Sequence, residues 1–206
     1  YGDVYTRWVL QVRRSYDALV KADNDLKWGK LSGPSGNYTD TNTTCESVAL
    51  ESLGLKSLRS SQIISRDVFL DYFYAILKVM LAVEKISYDI RHYSIDGINE
   101  MNEGFSPGQK GSSSMPHKKN PIGTENICGL ARLYKSYFQT AIDNCLTLWE
   151  RDISHSSSER IIFKDSAHLA AFTVDRLTKI IQNISVNTTN ANANIADQEK
   201  KLNSQN

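Results

Sequence analysis

SRDVFLDYFYAILKVMLAVEKISYDIRHY, residues 65–93, decides the fold. The stretch holds no proline and no glycine and is far too long for a strand, so it reads as one helix, opened by Ser65 as N-cap. Between Val68 and Val83 nearly every side of that helix is apolar. A surface helix carries one apolar stripe and one polar face. A helix apolar all round must be surrounded, which predicts the centre of a bundle, completed by other subunits.

Working outward, residues 3–28 carry Val4, Trp8, Val12, Tyr16, Leu19 and Val20 as a helical stripe. Gly29 and KLSGPSGNYTDTNTT, residues 30–44, end it as a polar loop, and a short helix is expected over Glu46–Leu53. Downstream, residues 95–120, IDGINEMNEGFSPGQKGSSSMPHKKN, break the pattern with glycine, serine and charge. A loop this long inside a domain points to function or disorder. Asn120 and Pro121 then give an N-cap and a first-turn proline. The helix that follows carries Ile127, Leu130, Ala131, Tyr134, Tyr137, Phe138, Ile142 and Cys145. After the polar interruption WERDISHSSSER comes a helix with Ile161, Ile162, Leu169, Phe172, Leu177, Ile180 and Ile184, then an asparagine-rich tail expected to be a frayed or cut helix. With no repeat, convincing strand or second core, the expectation is all-α: a long-helix bundle, residues 1–206 forming one domain.

The formal net charge of +1 argues against nucleic-acid or membrane-surface binding, which need a basic excess. No apolar run is long enough to cross a membrane as a helix. Cys45, Cys128 and Cys145 lack metal spacing and read as reduced thiols of a cytoplasmic protein, the latter two as core residues. His92, His117, His155 and His168 show no ligand spacing, so neither metal nor cofactor is expected. Asn37, Asn42, Asn183 and Asn187 head Asn-Xaa-Ser/Thr triplets, which an asparagine-rich chain acquires by chance.

Three clusters carry chemistry. GSSSMPHKKNPIGTEN, residues 111–126, sets Ser112, Ser113 and Ser114 ahead of Lys118 and Asn120, just before a helix start. A helix start offers N–H groups and partial positive charge. With Lys118 it suits a carboxylate or an enolate-like anion. LWERDISHSSSERII, residues 148–162, offers Arg151, Arg160 and hydroxyls around His155, a plausible phosphate clamp. SSQIISRD, residues 60–67, opens the long helix. On residue types alone, the first two also read as solvated polar corners.

The first cluster resembles the signature loop of the fumarase, aspartase, argininosuccinate lyase and adenylosuccinate lyase superfamily, Ser-Ser-x-Met-Pro-x-Lys-x-Asn-Pro-x-x-x-Glu. Ser112, Ser113, Met115, Pro116, Lys118, Asn120, Pro121 and Glu125 fill every fixed position. The second cluster is similar to a stretch of the adenylosuccinate lyase family that its sister enzymes lack, and the third to that family's Gln-x-x-x-Arg-Asp. KLSGPSGNY, residues 30–38, resembles a glycine-rich turn of the family more loosely.

The resemblance implies the family's central helical domain, joined by N- and C-terminal domains and assembled as a homotetramer in which three subunits build each site. It implies β-elimination without a cofactor: adenylosuccinate to AMP and fumarate, and the succinyl-aminoimidazole-carboxamide ribotide to its carboxamide and fumarate, in purine biosynthesis. Ser112 would be the base, Lys118 and Asn120 would hold the carbanion's carboxylate, and Glu125 would orient a histidine acid. Gln62 would contact substrate, while Arg151, Ser156 and Arg160 would hold its phosphate. The family's acid histidine lies in a Thr-x-His segment upstream of the region matching Tyr1, so these 206 residues alone are expected to be inactive. The alternatives are a non-catalytic helical assembly module, or a sister enzyme such as carboxymuconate cycloisomerase. Glycines and serines between Glu103 and Lys119 predict a mobile lid in the absence of ligand.

Overall fold

The computed structural model describes residues 1–104, 120–149 and 151–204. It is all-α, as the periodicity predicts. Among the described residues six α-helices follow in order: α1 Gly2–Asp25, α2 Thr43–Ser52, α3 Leu70–Tyr93, α4 Ile122–Asp143, α5 Ser154–Asn183 and α6 Thr188–Asn203. A 3₁₀ turn at Arg66–Phe69 precedes α3. Four two-residue strands, β1 Trp28–Gly29, β2 Lys56–Ser57, β3 Met101–Asn102 and β4 Ser185–Val186, correct the expectation of no strand. They form two isolated ladders, parallel β1–β2 and antiparallel β3–β4, too short to leave a periodic trace.

The helix starts follow local chemistry. Asn42 caps α2 by accepting from the Cys45 N–H at 2.9 Å, and Asn187 caps α6 by accepting from Asn190 N–H at 3.1 Å. Two triplet asparagines thus have structural work. Ser65 does not cap α3: its hydroxyl donates to the Asp67 carboxylate, and the 3₁₀ turn intervenes.

Two compact units emerge, and α3, α4 and α5 contribute residues to both. The first comprises residues 1–79 and 133–170. Its core gathers Phe73, Ala141 and Ile162, with Phe69, Leu70, Tyr137, Phe138 and Phe163 packed around them. The Phe163 ring meets Phe69 edge-on at 5.3 Å and Phe73 at 4.9 Å, geometries that add about 0.5–1.5 kcal/mol per pair beyond area burial. Fully buried Tyr134 donates its hydroxyl to the Phe73 carbonyl at 2.9 Å. Helix α1 buries Trp8, Ser15 and Ala22, one residue every seven, and the Ser15 hydroxyl donates to the Lys78 carbonyl at 3.1 Å. Of the apolar stripe read from the sequence only Trp8 is buried, while Val12, Tyr16 and Val20 are exposed. A close helix seam takes small side chains, so Ser15 and Ala22 occupy it.

The second unit comprises residues 80–132 and 171–206. Met80, Ala82, Val83, Ile86 and Ile90 of α3, Ile127, Cys128 and Ala131 of α4, and Leu177 and Ile180 of α5 are buried there. The tail expected to fray forms α6, which is held by polar contacts. Asn190 Nδ2 donates to the Asn99 carbonyl at 3.2 Å. One helical turn on, Asn194 Nδ2 donates to the Ile98 carbonyl at 3.1 Å and to Glu100 Oε1 at 2.7 Å.

Helix α3 is not buried on every side within this one chain. Asp71, Tyr74, Leu81, Lys85, Tyr88 and His92, at spacings of three, four or seven residues, stay exposed as one stripe that mixes aromatic, aliphatic and charged side chains.

Candidate active site

In the first unit, the second cluster lies on the helix itself. The interruption predicted over 149–160 is shorter, because α5 begins at Ser154. Half-buried Ser156 and exposed Arg160 are therefore one turn apart on the same face of α5, and exposed Arg151 lies three residues before the helix. His155, taken from sequence as a loop residue, is in the first turn and buried.

Asp152 builds this corner. Its carboxylate accepts from the Ser154 hydroxyl, from Ser154 N–H at 2.7 Å and from Leu148 N–H at 2.8 Å. The Ser154 hydroxyl above all, then the two backbone donors, hold the carboxyl down to about 2. Trp149, at φ 55°, adopts a left-handed backbone within the turn.

Gln62 is exposed, and its carbonyl accepts from Lys30 Nζ at 3.0 Å. Lys30 Nζ also donates to the Gly33 carbonyl at 2.6 Å, tying residues 30–33 to the segment before α3. That segment meets α5 through Arg66, whose Nε lies 3.3 Å from Glu159 Oε1 and whose guanidinium covers the Phe69 ring at 4.7 Å. The Arg66–Glu159 pair thus links the third cluster to the second. Among the described residues Gln62, Arg151, Ser156 and Arg160 share this unit without hydrogen bonds to one another.

The loop at 30–38 is organised by Glu46, which sequence reading assigned only to the start of a helix. Its buried carboxylate accepts from the Ser57 hydroxyl, from Leu31 N–H at 2.8 Å and from Tyr38 hydroxyl at 3.4 Å. The Ser57 hydroxyl first, with Leu31, Tyr38 and Lys30 behind it, lowers the carboxyl against the opposing effect of burial.

The second unit holds Asn120 and Glu125. Asn120 is half-buried, and its carbonyl accepts from Ile122 N–H at 2.8 Å. Glu125 is exposed in the first turn of α4. Arg91, which sequence reading missed, lies within electrostatic reach of Glu125 and of the Cys128 thiol, which burial pushes up.

The start of α4 corrects a central expectation. The sequence pattern predicts an anion site there, with Asn120 as its cap. Buried Glu103 fills it instead: Oε2 accepts from Gly123 N–H at 3.0 Å, while Oε1 accepts from Thr124 N–H at 2.6 Å and from Thr124 hydroxyl at 2.5 Å. A Cβ on Gly123 would come within 2.8 Å of Glu103 Oε2 and of Ile180 Cδ1, so glycine lets the carboxylate approach without either side chain shifting.

Ser112 and Lys118, and the part of the expected lid beyond Gly104, lie outside the described residues, while Glu103 at its start is buried. Among the described residues no group of three or more His, Cys, Asp or Glu side chains is placed to hold a metal ion, and no helix is long and apolar enough to cross a membrane. The described cysteines are free thiols.

Comparison with known proteins places this architecture. The family described as Lyase matches residues 1–133. Adenylosuccinate lyase of Bacillus subtilis is 38% identical over 197 residues, 95% of this chain and 46% of that protein. The adenylosuccinate lyase of Thermotoga maritima is 37% identical over 190 residues, 91% of this chain and 44% of that protein. The chain therefore spans less than half the length of these relatives. In fold, it is similar to the 3-carboxy-cis,cis-muconate lactonizing enzyme from Pseudomonas putida, with a TM-score of 0.79 at 23% identity over 90% of this chain and 42% of that one. The family match covers well over half of the 206 residues, and the chain belongs to the lyase family.

Proposed function

We propose that the protein carrying this chain is an adenylosuccinate lyase, cleaving adenylosuccinate to AMP and fumarate and releasing fumarate from the parallel succinyl ribotide of purine biosynthesis. The observation that carries the reading is the start of α5. Arg160 and Ser156 lie one turn apart, with Arg151 just before the helix. Two guanidinium forks and a hydroxyl at one helix start suit a phosphate monoester, because arginine binds phosphate in a bidentate manner. The same set has no evident use in a sister enzyme that acts on a phosphate-free carboxymuconate.

In this reading Gln62 contacts the substrate, Lys118 and Asn120 hold the succinyl carboxylate, and Ser112 removes the proton from the carbon beside it. The electron pair left on that carbon forms the double bond of fumarate as the bond to nitrogen breaks. Glu125 acts on the group that protonates the departing nitrogen. A serine serves as base only where its oxyanion is stabilised and water excluded, which the positive charge of Lys118 favours.

Assembly belongs to the proposal. Val9, Val12, Tyr16 and Val20 on α1 and Tyr74, Leu81 and Tyr88 on α3 are exposed. Such faces support a homo-oligomer, a tetramer by resemblance, in the cytoplasm. Sedimentation would detect it, and a stable monomer of the full-length protein would contradict it.

The deciding experiment follows fumarate release from adenylosuccinate by the full-length protein. Turnover is expected. Arg160→Lys should raise KM about tenfold or more by removing one fork of the clamp, with a smaller effect on kcat. No turnover by the wild-type protein, or loss of kcat at unchanged KM in the variant, overturns the reading.

A further inference from the structure

We infer that Glu103 is a positioning residue for the elimination: it sets the start of α4, and so the place of Asn120, from which the succinyl carboxylate is held. The inference rests on the proposed lyase function, and its first support is what Glu103 displaces. A helix start of this length would attract an anion, and the substrate brings carboxylates to it. Here the Gly123 and Thr124 N–H groups and the Thr124 hydroxyl already donate to Glu103, while Ile122 N–H donates to the Asn120 carbonyl and Glu125 N–H to the Pro121 carbonyl. Substrate carboxylates must then be met by side chains, and the backbone carrying Asn120 must be fixed by something else. Glu103 does this, since its partners lie three and four residues beyond Asn120.

The clasp is built from both sides. Glu103 follows directly on the β3–β4 ladder, in which Met101 pairs with Val186 and Asn102 with Ser185. The next residue, Gly104, adopts φ 70°, and a Cβ there would lie 2.0 Å from the Asn183 carbonyl oxygen. Met101 is fully buried, and its carbonyl accepts from the Ser94 hydroxyl at 2.8 Å. The carboxylate is thus delivered by a backbone held on its own side, to a helix whose Gly123 has no side chain to block it. Through Thr124, which is also fully buried, the two described chain ends flanking residues 105–119 are tied together.

The test uses the full-length protein. Glu103→Gln keeps shape but removes the charge and sets its NH2 against one side of the donor set, keeping a single acceptor oxygen for the other. We expect kcat to fall about tenfold or more, as loss of charge-assisted hydrogen bonds implies. Inhibition by fumarate should weaken in step, with AMP affinity unchanged, because AMP lacks the succinyl carboxylates. Thr124→Val should lower kcat by less, and Thr124→Ser, which keeps the hydroxyl, should restore it. Wild-type kcat and fumarate affinity in a folded Glu103→Gln protein overturn the inference, as does a parallel loss of AMP affinity, which would mark a general structural role. Should Glu103→Gln fail to fold, equal kcat in Thr124→Val and Thr124→Ser overturns it. If the wild-type protein neither releases fumarate nor binds AMP, the lyase reading fails. Amide exchange at Gly123 and Thr124, slow in the wild type and faster in Thr124→Val, then still reads the clasp, and equal exchange overturns it.

Discussion

The starts of α4 and α5 pose one problem and solve it differently. Each long helix opens with N–H groups that lack intrahelical acceptors, and each recruits a carboxylate of the chain. At α4 the carboxylate is Glu103, 4% exposed and twenty residues before Gly123 in sequence. At α5 it is Asp152, two residues before Ser154 and open to solvent. The distant, buried partner has to be carried in by a ladder and two close-packed glycines, whereas the local one needs only a turn. A helix start is therefore not an anion site by virtue of its own residues, because what matters is whether the chain has already filled it. Where it has, the proposed function leaves foreign anions to flanking side chains: Arg151 and Arg160 at α5, Asn120 at α4.

The largest difference between the two starts should appear in stability. Glu103→Ala leaves two backbone N–H groups without their acceptor and the Thr124 hydroxyl with the Pro121 carbonyl alone, in a buried place where each unmet donor costs about 1–3 kcal/mol. A loss of about 3 kcal/mol or more is expected in urea denaturation, with Asp152→Ala clearly milder because water replaces its carboxylate. Equal losses would erase the distinction between a buried clasp and an exposed cap.

A smaller effect sharpens the same point. Gly123→Ala pushes a methyl group against Glu103 Oε2 and Ile180 Cδ1, each 2.8 Å away. Alanine has the better helix propensity, by about 1 kcal/mol over glycine. Overpacking of this kind costs about 1–3 kcal/mol, so a modest net destabilisation is expected on thermal melting. A stabilised Gly123→Ala protein would mean that Glu103 yields easily and the clasp is loose.

These two starts also separate what the sequence makes legible from what it hides. The long helices are readable, because proline, glycine and a 3.6-residue period are local signals. The site motifs are readable as strings, including Asn120 and Glu125. Glu103 is not readable as a partner of Thr124, since nothing in a linear pattern says which carboxylate returns to a helix twenty residues on. The same limit explains α1 and α6. The seam of α1 is Trp8, Ser15 and Ala22, chosen for closeness and not for hydropathy. Helix α6 docks through Asn190 and Asn194, whose four-residue spacing was visible but whose acceptors in the 98–100 turn were not. Arg66–Glu159 joins two motifs that stand apart in sequence, and only folding supplies that pairing.

The smallest predicted effect concerns Asp152 in acid. Its carboxyl lies at about 2 in the folded protein against an ordinary value of 3.8, with the Ser154 hydroxyl the leading cause. A depressed carboxyl contributes stability that is complete above the ordinary value and is lost as pH falls through the folded one. The corner should therefore be unchanged from neutral pH down to about 4 and weaken progressively towards 2. The group is exposed, so the change in global stability should be slight, and the local readout is the informative one. The Asp152 carboxyl carbon, followed by NMR, should remain that of an ionised group at about pH 3, where an ordinary aspartate is mostly protonated. Exchange of the Leu148 and Ser154 amides should accelerate only as that carboxyl titrates, because both donate to it. A midpoint near the ordinary value would mean that the three donors do not hold the carboxylate, and that the start of α5 is open to a phosphate in a way that the start of α4 is not.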